Sequence, residues 1–468
     1  MIKINPSLTA KTLLPKLERL FDLSGRKILA IERSWNPADG TPVFTVRGRY
    51  TSRGWTEWTQ GFQFGSAVLQ YDATGEKKFL GLGRRGTVGK MAAHVSHIGV
   101  HDHGFNNVST YGTLLRLMRE GRTNFNEWEK NFYELALKVS GAVQAARWTN
   151  IHPASRTLLP PLAAGTARER GFIHTFNGPH SLFADAIRSL RALAVSHALG
   201  HALMGEGDRR ISLLARLIEH ADTTATFNVY FGEGRDAYDV RGRVAHESIF
   251  NVTDGHYRCP NSQQGYSPFS TWTRGLAWII CGYAEQLEFF KTLDDAELKP
   301  FGGRRAVTGM LLRVARATAD FYIENTPADG VPYWDTGAPG LAKLGDYLKR
   351  PADPFNDHEP VDSSAAAIAA QGLVRLGNYL GGTKGRRYLQ AGLTTADALF
   401  AEPYLSTKAD HQGLLLHSIY HRPNGWDYTP PGSKIPRGES SMWGDYHARE
   451  LALLLLREAK GRPYLKFF

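Results

Sequence analysis

The chain has 468 residues, 42% hydrophobic and 22% charged, a balance that excludes disorder and fibrous repeats. Its formal net charge of +11 is scattered with no basic tail, which argues against a nucleic-acid module and leaves a small acidic ligand as a use for it. Cys259 and Cys281 build no disulfide framework, no run of about 18 apolar residues spans a membrane, and Met1-Ile2-Lys3-Ile4-Asn5-Pro6 lacks a secretory pattern, so a soluble cytoplasmic protein is expected.

In chain order, helical periodicity dominates. Helices are predicted near 11–21, 62–71 and 108–119, then over 132–148, 182–203, 211–230, 278–290, 304–323, 365–380, 385–400 and 451–456. Val307, Met310, Leu311 and Val314 show the spacing, and Asp362-Ser363-Ser364 reads as an N-cap with Gly381-Gly382 as the stop of its helix. Strand-like runs are few: 27–33 and 41–50, split by Pro37-Ala38-Asp39-Gly40, predict one hairpin. No linker or composition break divides the chain. The expectation is one domain over 1–468, with 1–53 as an N-terminal extension packed on it. About a dozen helices joined by polar loops predict an all-α toroid whose site lies where loops meet inner helix ends.

Several motifs have a bland reading beside a chemical one. Gly81-Leu82-Gly83-Arg84-Arg85-Gly86 fits a dinucleotide fingerprint formally, but no βαβ pattern surrounds it and a flexible basic loop is the better reading. His94, His97, His101 and His103 crowd around Asp102; no H-E-x-x-H is present, and a loop that positions Asp102 is favoured over a metal site. His101-Asp102-His103-Gly104-Phe105, standing alone, reads slightly better as an Asp capping the helix that starts near Val108. It is accompanied, however, by Gln264-Gly265-Tyr266-Ser267 and by Trp272-Thr273-Arg274-Gly275-Leu276-Ala277-Trp278. These offer a guanidinium fork for a carboxylate and flat apolar walls for a sugar ring. Pro332-Tyr333-Trp334-Asp335, the Asp362 alanine run, Leu414-Leu415-Leu416-His417-Ser418-Ile419-Tyr420-His421 and Met442-Trp443-Gly444-Asp445-Tyr446 follow.

This order of blocks resembles the unsaturated glucuronyl hydrolases, glycoside hydrolase family 88, and is similar to the neighbouring unsaturated rhamnogalacturonyl hydrolases, family 105. The likeness runs from about Trp55 to the end and includes Trp58-Thr59-Gln60-Gly61-Phe62 and Tyr71-Asp72-Ala73-Thr74-Gly75. It implies an (α/α)6 toroid, no cofactor and no metal, and a small anionic oligosaccharide as substrate; the oligomeric state is left open. Such enzymes remove an unsaturated uronic acid from the non-reducing end of lyase products by hydrating the C4=C5 enol ether. The hemiketal so formed collapses and releases the next sugar.

Carried over by motif, Asp102 resembles the supporting aspartate. Asp185, in Ala184-Asp185-Ala186-Ile187-Arg188-Ser189-Leu190 after Gly171-Phe172-Ile173, resembles the acid/base, with Ser189 in place of the usual Asn. Asp222, in His220-Ala221-Asp222-Thr223-Thr224, is the competitor and is read as structural. The uronate-binding set is His246, Gln264, Trp272, Arg274, Trp278 and His417. Gln63 and Phe176 stand where the family usually has Trp, and Pro268-Phe269 replaces an acidic pair. Burial and a neighbouring carboxylate are expected to keep the acid protonated near neutral pH. The rival readings are the family 105 activity on pectin fragments, a non-catalytic sugar-binding toroid and a metallohydrolase.

Overall fold

A computed structural model describes residues 1–53, 57–160 and 168–468; Trp55, where the family likeness begins, lies outside them. Twelve elements alternate between an outer and an inner position among the described residues. Leu14–Ser34, Lys77–Lys90, Glu127–Ala146, Leu213–Phe227, Gly303–Asn325 and Gly382–Leu399 lie outside. Their inner partners are Gln60–Thr74, the segment 104–119, the short helices Ala186–Ser189 and Arg191–Ala198, then Thr273–Phe290, Ser363–Leu380 and Met442–Ala459. Each inner element packs on the next, and Met442–Ala459 returns to Gln60–Thr74 to close the ring. This is the (α/α)6 toroid.

The sequence explains which helices go inside. Every residue of Thr273–Phe290 is buried, and Ser363–Leu380 is buried through Gly377, since both are mostly apolar or small on every face and their few charged side chains are paired. The outer helix Leu14–Ser34 buries a stripe carrying Leu17, Leu20, Phe21, Ile28 and Ile31, and leaves Glu18, Arg19 and Asp22 in water. Asp362 caps its helix as its position predicts, accepting from the backbone N–H of Ser364 at 3.0 Å. Charge fills the centre of the ring, yet it is paired. Arg188 lies 3.0 Å from Glu285 and 2.7 Å from Glu450, while Arg375 reaches Glu288 at 2.7 Å, so four inner elements are tied by buried ion pairs.

The structure corrects three local expectations. The run 27–33 is helical, because the Leu17–Ile31 stripe continues through it; the hairpin is Phe44–Val46 with Arg49–Thr51, turning at Arg47 and Gly48, both at positive φ. The Gly81–Gly86 run is the middle of helix Lys77–Lys90, not a loop. Its glycines serve close packing: a Cβ on Gly83 would lie 2.5 Å from Val68, and one on Gly86 2.3 Å from Phe64. The predicted helix 182–203 breaks into strand Ser181–Phe183, the turn at Asp185, the two short helices and the strand Leu203–Met204. Strand Ser181–Phe183 pairs with Glu247–Phe250, which pairs with Tyr257–Asn261; that distant pairing overrides the local periodicity.

Candidate active site

One end of the toroid opens as a cleft lined by Trp58, His101, Asp102, Phe105, Phe176, Asp185, Gln263, Gln264, Trp272, Arg274, Trp278, Tyr420, His421 and Trp426. A larger, more open groove runs past Trp148, His152, Arg170 and Gly255, but it gathers neither the paired carboxylates nor the aromatic walls. The cleft is therefore the candidate site.

Its two aspartates come from separate segments brought together by close backbone contact. Asp102 precedes a π-helical stretch, Gly104–Gly112, and Asp185 ends the turn into Ala186–Ser189. Ser189 Oγ accepts the N–H of Gly104 at 3.1 Å and donates to the His101 carbonyl, which Gln144 also holds at 2.6 Å. The approach leaves no room for a side chain: a Cβ on Gly104 would sit 2.0 Å from the Ser189 carbonyl oxygen. The serine that replaces the family's asparagine is thus the fastener between the two segments.

Between the carboxylates stands His101. Its Nε2 is 3.1 Å from Asp185 Oδ1 and 3.8 Å from Asp102 Oδ1, and its ring lies against Phe176 and Phe183. Burial acts to raise Asp185, but the hydrogen bond and charge of His101 outweigh it and hold this carboxyl below its usual range. Asp102 is raised, chiefly by burial with Asp185 adding to it. Burial opposes charge on His101, yet Asp102 and Asp185 together raise it. The expectation that burial leaves the proton on Asp185 therefore needs correcting. The groups whose proton affinity is raised are His101 and Asp102.

The other histidines of the cluster are spent elsewhere. His94 faces Gln60 at 2.8 Å and Asn106 at 3.1 Å, and burial lowers it to about 4. His103 lies between Ser140 and the His97 carbonyl, lowered by burial to about 3. Among the described residues, no group of three metal-binding side chains converges.

Arg274 is in the cleft wall, but its fork is already engaged. It donates to Asp362 at 2.8 Å, Gln264 Oε1 at 3.0 Å, the Tyr420 carbonyl at 2.7 Å and the Ile419 carbonyl. Its guanidinium stands 4.5 Å from the Trp272 ring. It supplies positive field and fixes Gln264, rather than offering a free bidentate clamp. Trp272 and Trp278 form walls, and the Arg188–His447 pair underlies Trp278. His246 packs on Trp272 and Phe183 just behind the wall, held neutral by burial at about 4, with neither ring nitrogen hydrogen-bonded. Phe176 lines the cleft.

Two expected residues lie elsewhere. His417 sits between Phe355 and Tyr404 and accepts the N–H of Gly438, outside the cleft lining. The same loop reaches the cleft with Tyr420 and His421 instead, since Asp427 accepts their N–H groups and turns them inward. His421 Nδ1 accepts from the Asn424 N–H, which places the proton on Nε2, a buried donor with no partner among the described residues. Gln63 lines a separate small cavity with Ile28, Ile31 and Arg449. It follows Phe62, which points into the ring, so the helical turn carries it away. Trp58 supplies the aromatic wall and stacks on Trp443 at 5.2 Å.

The remaining blocks are supports. Asp335 accepts the N–H of Tyr266 at 2.9 Å and so shapes the Gln264 turn. Asp445 accepts from Leu414 and Leu415, holding the start of the His421 loop. Asp222 accepts from Leu158 at 2.8 Å and Leu159 at 3.2 Å, away from the cleft. Sequence reading missed Tyr420, His421, Trp426, Phe105 and Gln263 as lining residues. For His421 the block that carries it was visible, and the choice within that block was not.

No profile of a known protein family matches the chain. It is 24% identical over 396 residues to the unsaturated glucuronyl hydrolase of Formosa agariphila, covering 84% of this chain and 78% of that protein. The unsaturated glucuronyl hydrolase of Bacillus sp. is 28% identical over 221 residues, 47% of this chain and 48% of that protein. The chain is thus a distant homologue of the unsaturated glucuronyl hydrolases, family 88. Family 88 is a family of enzymes, and its toroid is the fold seen here. The solved Bacillus sp. GL1 unsaturated glucuronyl hydrolase superposes with a TM-score of 0.64 at 22% identity, covering 94% of this chain and 96% of that one. The one from Streptococcus agalactiae gives 0.68 at 19% identity, covering 98% and 94%. Among the described residues, no helix is long and apolar enough to cross a membrane.

Proposed function

We propose that this protein removes an unsaturated uronic acid from the non-reducing end of lyase-generated oligosaccharides by hydrating the C4=C5 double bond. One observation carries the reading: two buried carboxylates, Asp102 and Asp185, share one imidazole at the bottom of an aromatic-walled cleft. Such a pair has what the reaction needs, a proton for C4 and a carboxylate to orient water at C5. Trp272 and Trp278 offer flat walls to the ring, and Arg274 and the Nε2–H of His421 favour its carboxylate. In the cycle, Asp185 passes a proton to C4 and positive charge develops at C5 and the ring oxygen. Water adds at C5 and returns a proton to Asp185, and the hemiketal opens and releases the next sugar. The substrate's own carboxylate brings negative charge into the dry cleft and raises the proton affinity of Asp185 at the moment the proton is required.

The substrate class follows the relatives. One curated relative is the unsaturated chondroitin disaccharide hydrolase of Streptococcus agalactiae, and a solved variant of the glucuronyl hydrolase from that organism is complexed with dGlcA-GalNAc6S. A glycosaminoglycan-derived disaccharide is therefore the substrate proposed here. The test follows the ultraviolet absorbance of the enol ether with chondroitin-, heparin- and pectin-derived unsaturated disaccharides. Wild type should consume a glycosaminoglycan product, and Asp185→Asn should slow it by about 10²–10⁴-fold. Preference for the pectin fragment moves the reading to the family 105 activity, and binding without loss of absorbance makes the protein a sugar-binding toroid.

A further inference from the structure

His101 has a placement that packing alone does not require. Its side chain is 1% exposed and it sits between two carboxylates. Among the described residues, the ring's one hydrogen bond runs from Nε2 to Asp185 Oδ1, at 3.1 Å, and Nδ1 has no partner. Its main chain is fixed independently by Ser189 Oγ and Gln144 Nε2 at the carbonyl, so the imidazole is aimed rather than merely accommodated. Phe176 and Phe183 keep water from the ring faces. The charged and titratable groups around it are Asp102 on its own segment, Asp185 across the gap and Arg147 at the end of helix Glu127–Ala146. His174, His220 and His246 feel its charge from the elements behind, and each is itself kept neutral by burial, at about 4, 3 and 4.

We propose that His101 is the positioning residue of the proton-transfer step: its Nε2–H holds the Asp185 carboxylate in place and keeps the proton that Asp185 delivers one hydrogen bond away. This rests on the assignment of proton transfer to Asp185. The step balances. With His101 as the imidazolium, its Nε2 proton moves to Asp185 Oδ1 and leaves a neutral ring, and Asp185 gives the proton to C4 as the C4=C5 electron pair forms the new C–H bond. The water that adds at C5 loses a proton to Asp185, and His101 recovers it. The net change is one water added.

The critical variant is His101→Gln, which keeps a side-chain N–H of similar reach and removes the titrating proton. Its kcat should fall by about 10-fold or more with KM within about threefold, and the basic limb of the kcat profile should vanish or move by more than about one pH unit. Its thermal midpoint serves as the folding control, and if it falls, His101→Asn replaces it. Wild-type kcat and an unchanged pH profile in the folded variant overturn the proposal. A second measurement needs no turnover: imidazole resonances of the full-length protein followed against pH. His101 should titrate higher than the other buried histidines, and Asp185→Asn should bring it down; a titration indifferent to Asp185→Asn also overturns the proposal. Full turnover in Asp185→Asn instead refutes the assignment beneath it, so the two failures are distinguishable.

Discussion

Gly104→Ala probes the device that brings the Asp102 and Asp185 segments together. The added Cβ would lie 2.0 Å from the Ser189 carbonyl oxygen and 2.6 Å from its carbon. Ordinary contact begins near 3.4 Å, so the Asp102 and Asp185 segments must separate by roughly 1.4 Å. Neither side yields easily, because these neighbours are backbone atoms and both segments are buried. Overpacking of this kind costs about 1–3 kcal/mol, and the 3.1 Å bond from Gly104 N–H to Ser189 Oγ is strained with it, about 1 kcal/mol more. The kinetic effect should be larger. A displacement of about 1 Å at a reacting pair costs on the order of 10²-fold, so kcat should fall by that factor while the protein remains folded. The assay is kcat and KM on an unsaturated disaccharide beside a urea unfolding curve. An alanine variant with wild-type kcat and an unmoved urea midpoint would show that the two segments are not held by this contact.

Arg274→Lys keeps the charge but cannot span Asp362, Gln264 and the two carbonyls, so both KM and stability should suffer, the latter by about 2–3 kcal/mol in urea unfolding; unchanged values contradict its anchoring role. Asp222→Asn should lower stability by about 1–3 kcal/mol through its contacts with Leu158 and Leu159, with kcat within about twofold in steady-state kinetics, and an inactive but stable variant would transfer the catalytic role to it. For His246→Phe the sign follows from proton binding: the unfolded histidine takes up a proton below 6.5 that the folded one refuses until about 4. Wild type should thus lose stability relative to the variant as pH falls through that window, by about 1.4 kcal/mol per unit, read from urea midpoints at neutral and acidic pH. A pH-independent difference would mean the folded ring charges normally.

What the sequence by itself determined was the pattern set by short-range chemistry. All-round apolar runs marked the inner helices, Asp362 marked a helix start, and the ordered blocks around Asp102, Gln264 and Arg274 marked one site and its family. Each is legible because it depends on neighbours within a few residues or on the combination of motifs. The tertiary structure alone decided how those pieces are used. Residues 181–183 became a strand because Glu247–Phe250 offered a partner, and 27–33 became helix because a stripe begun at Leu17 ran on through it. Gln63 turned away while Trp58 turned inward, and Asp427 drew His421 rather than His417 to the cleft. Arg274, whose residue type suggested a free clamp, was engaged by carbonyls nearly 150 positions away. The protonation pattern of the two aspartates was likewise beyond sequence, because it depends on a single imidazole 3.1 Å from one and 3.8 Å from the other. A carboxylate's proton affinity is set by distance and burial, and those exist only once the ring has closed.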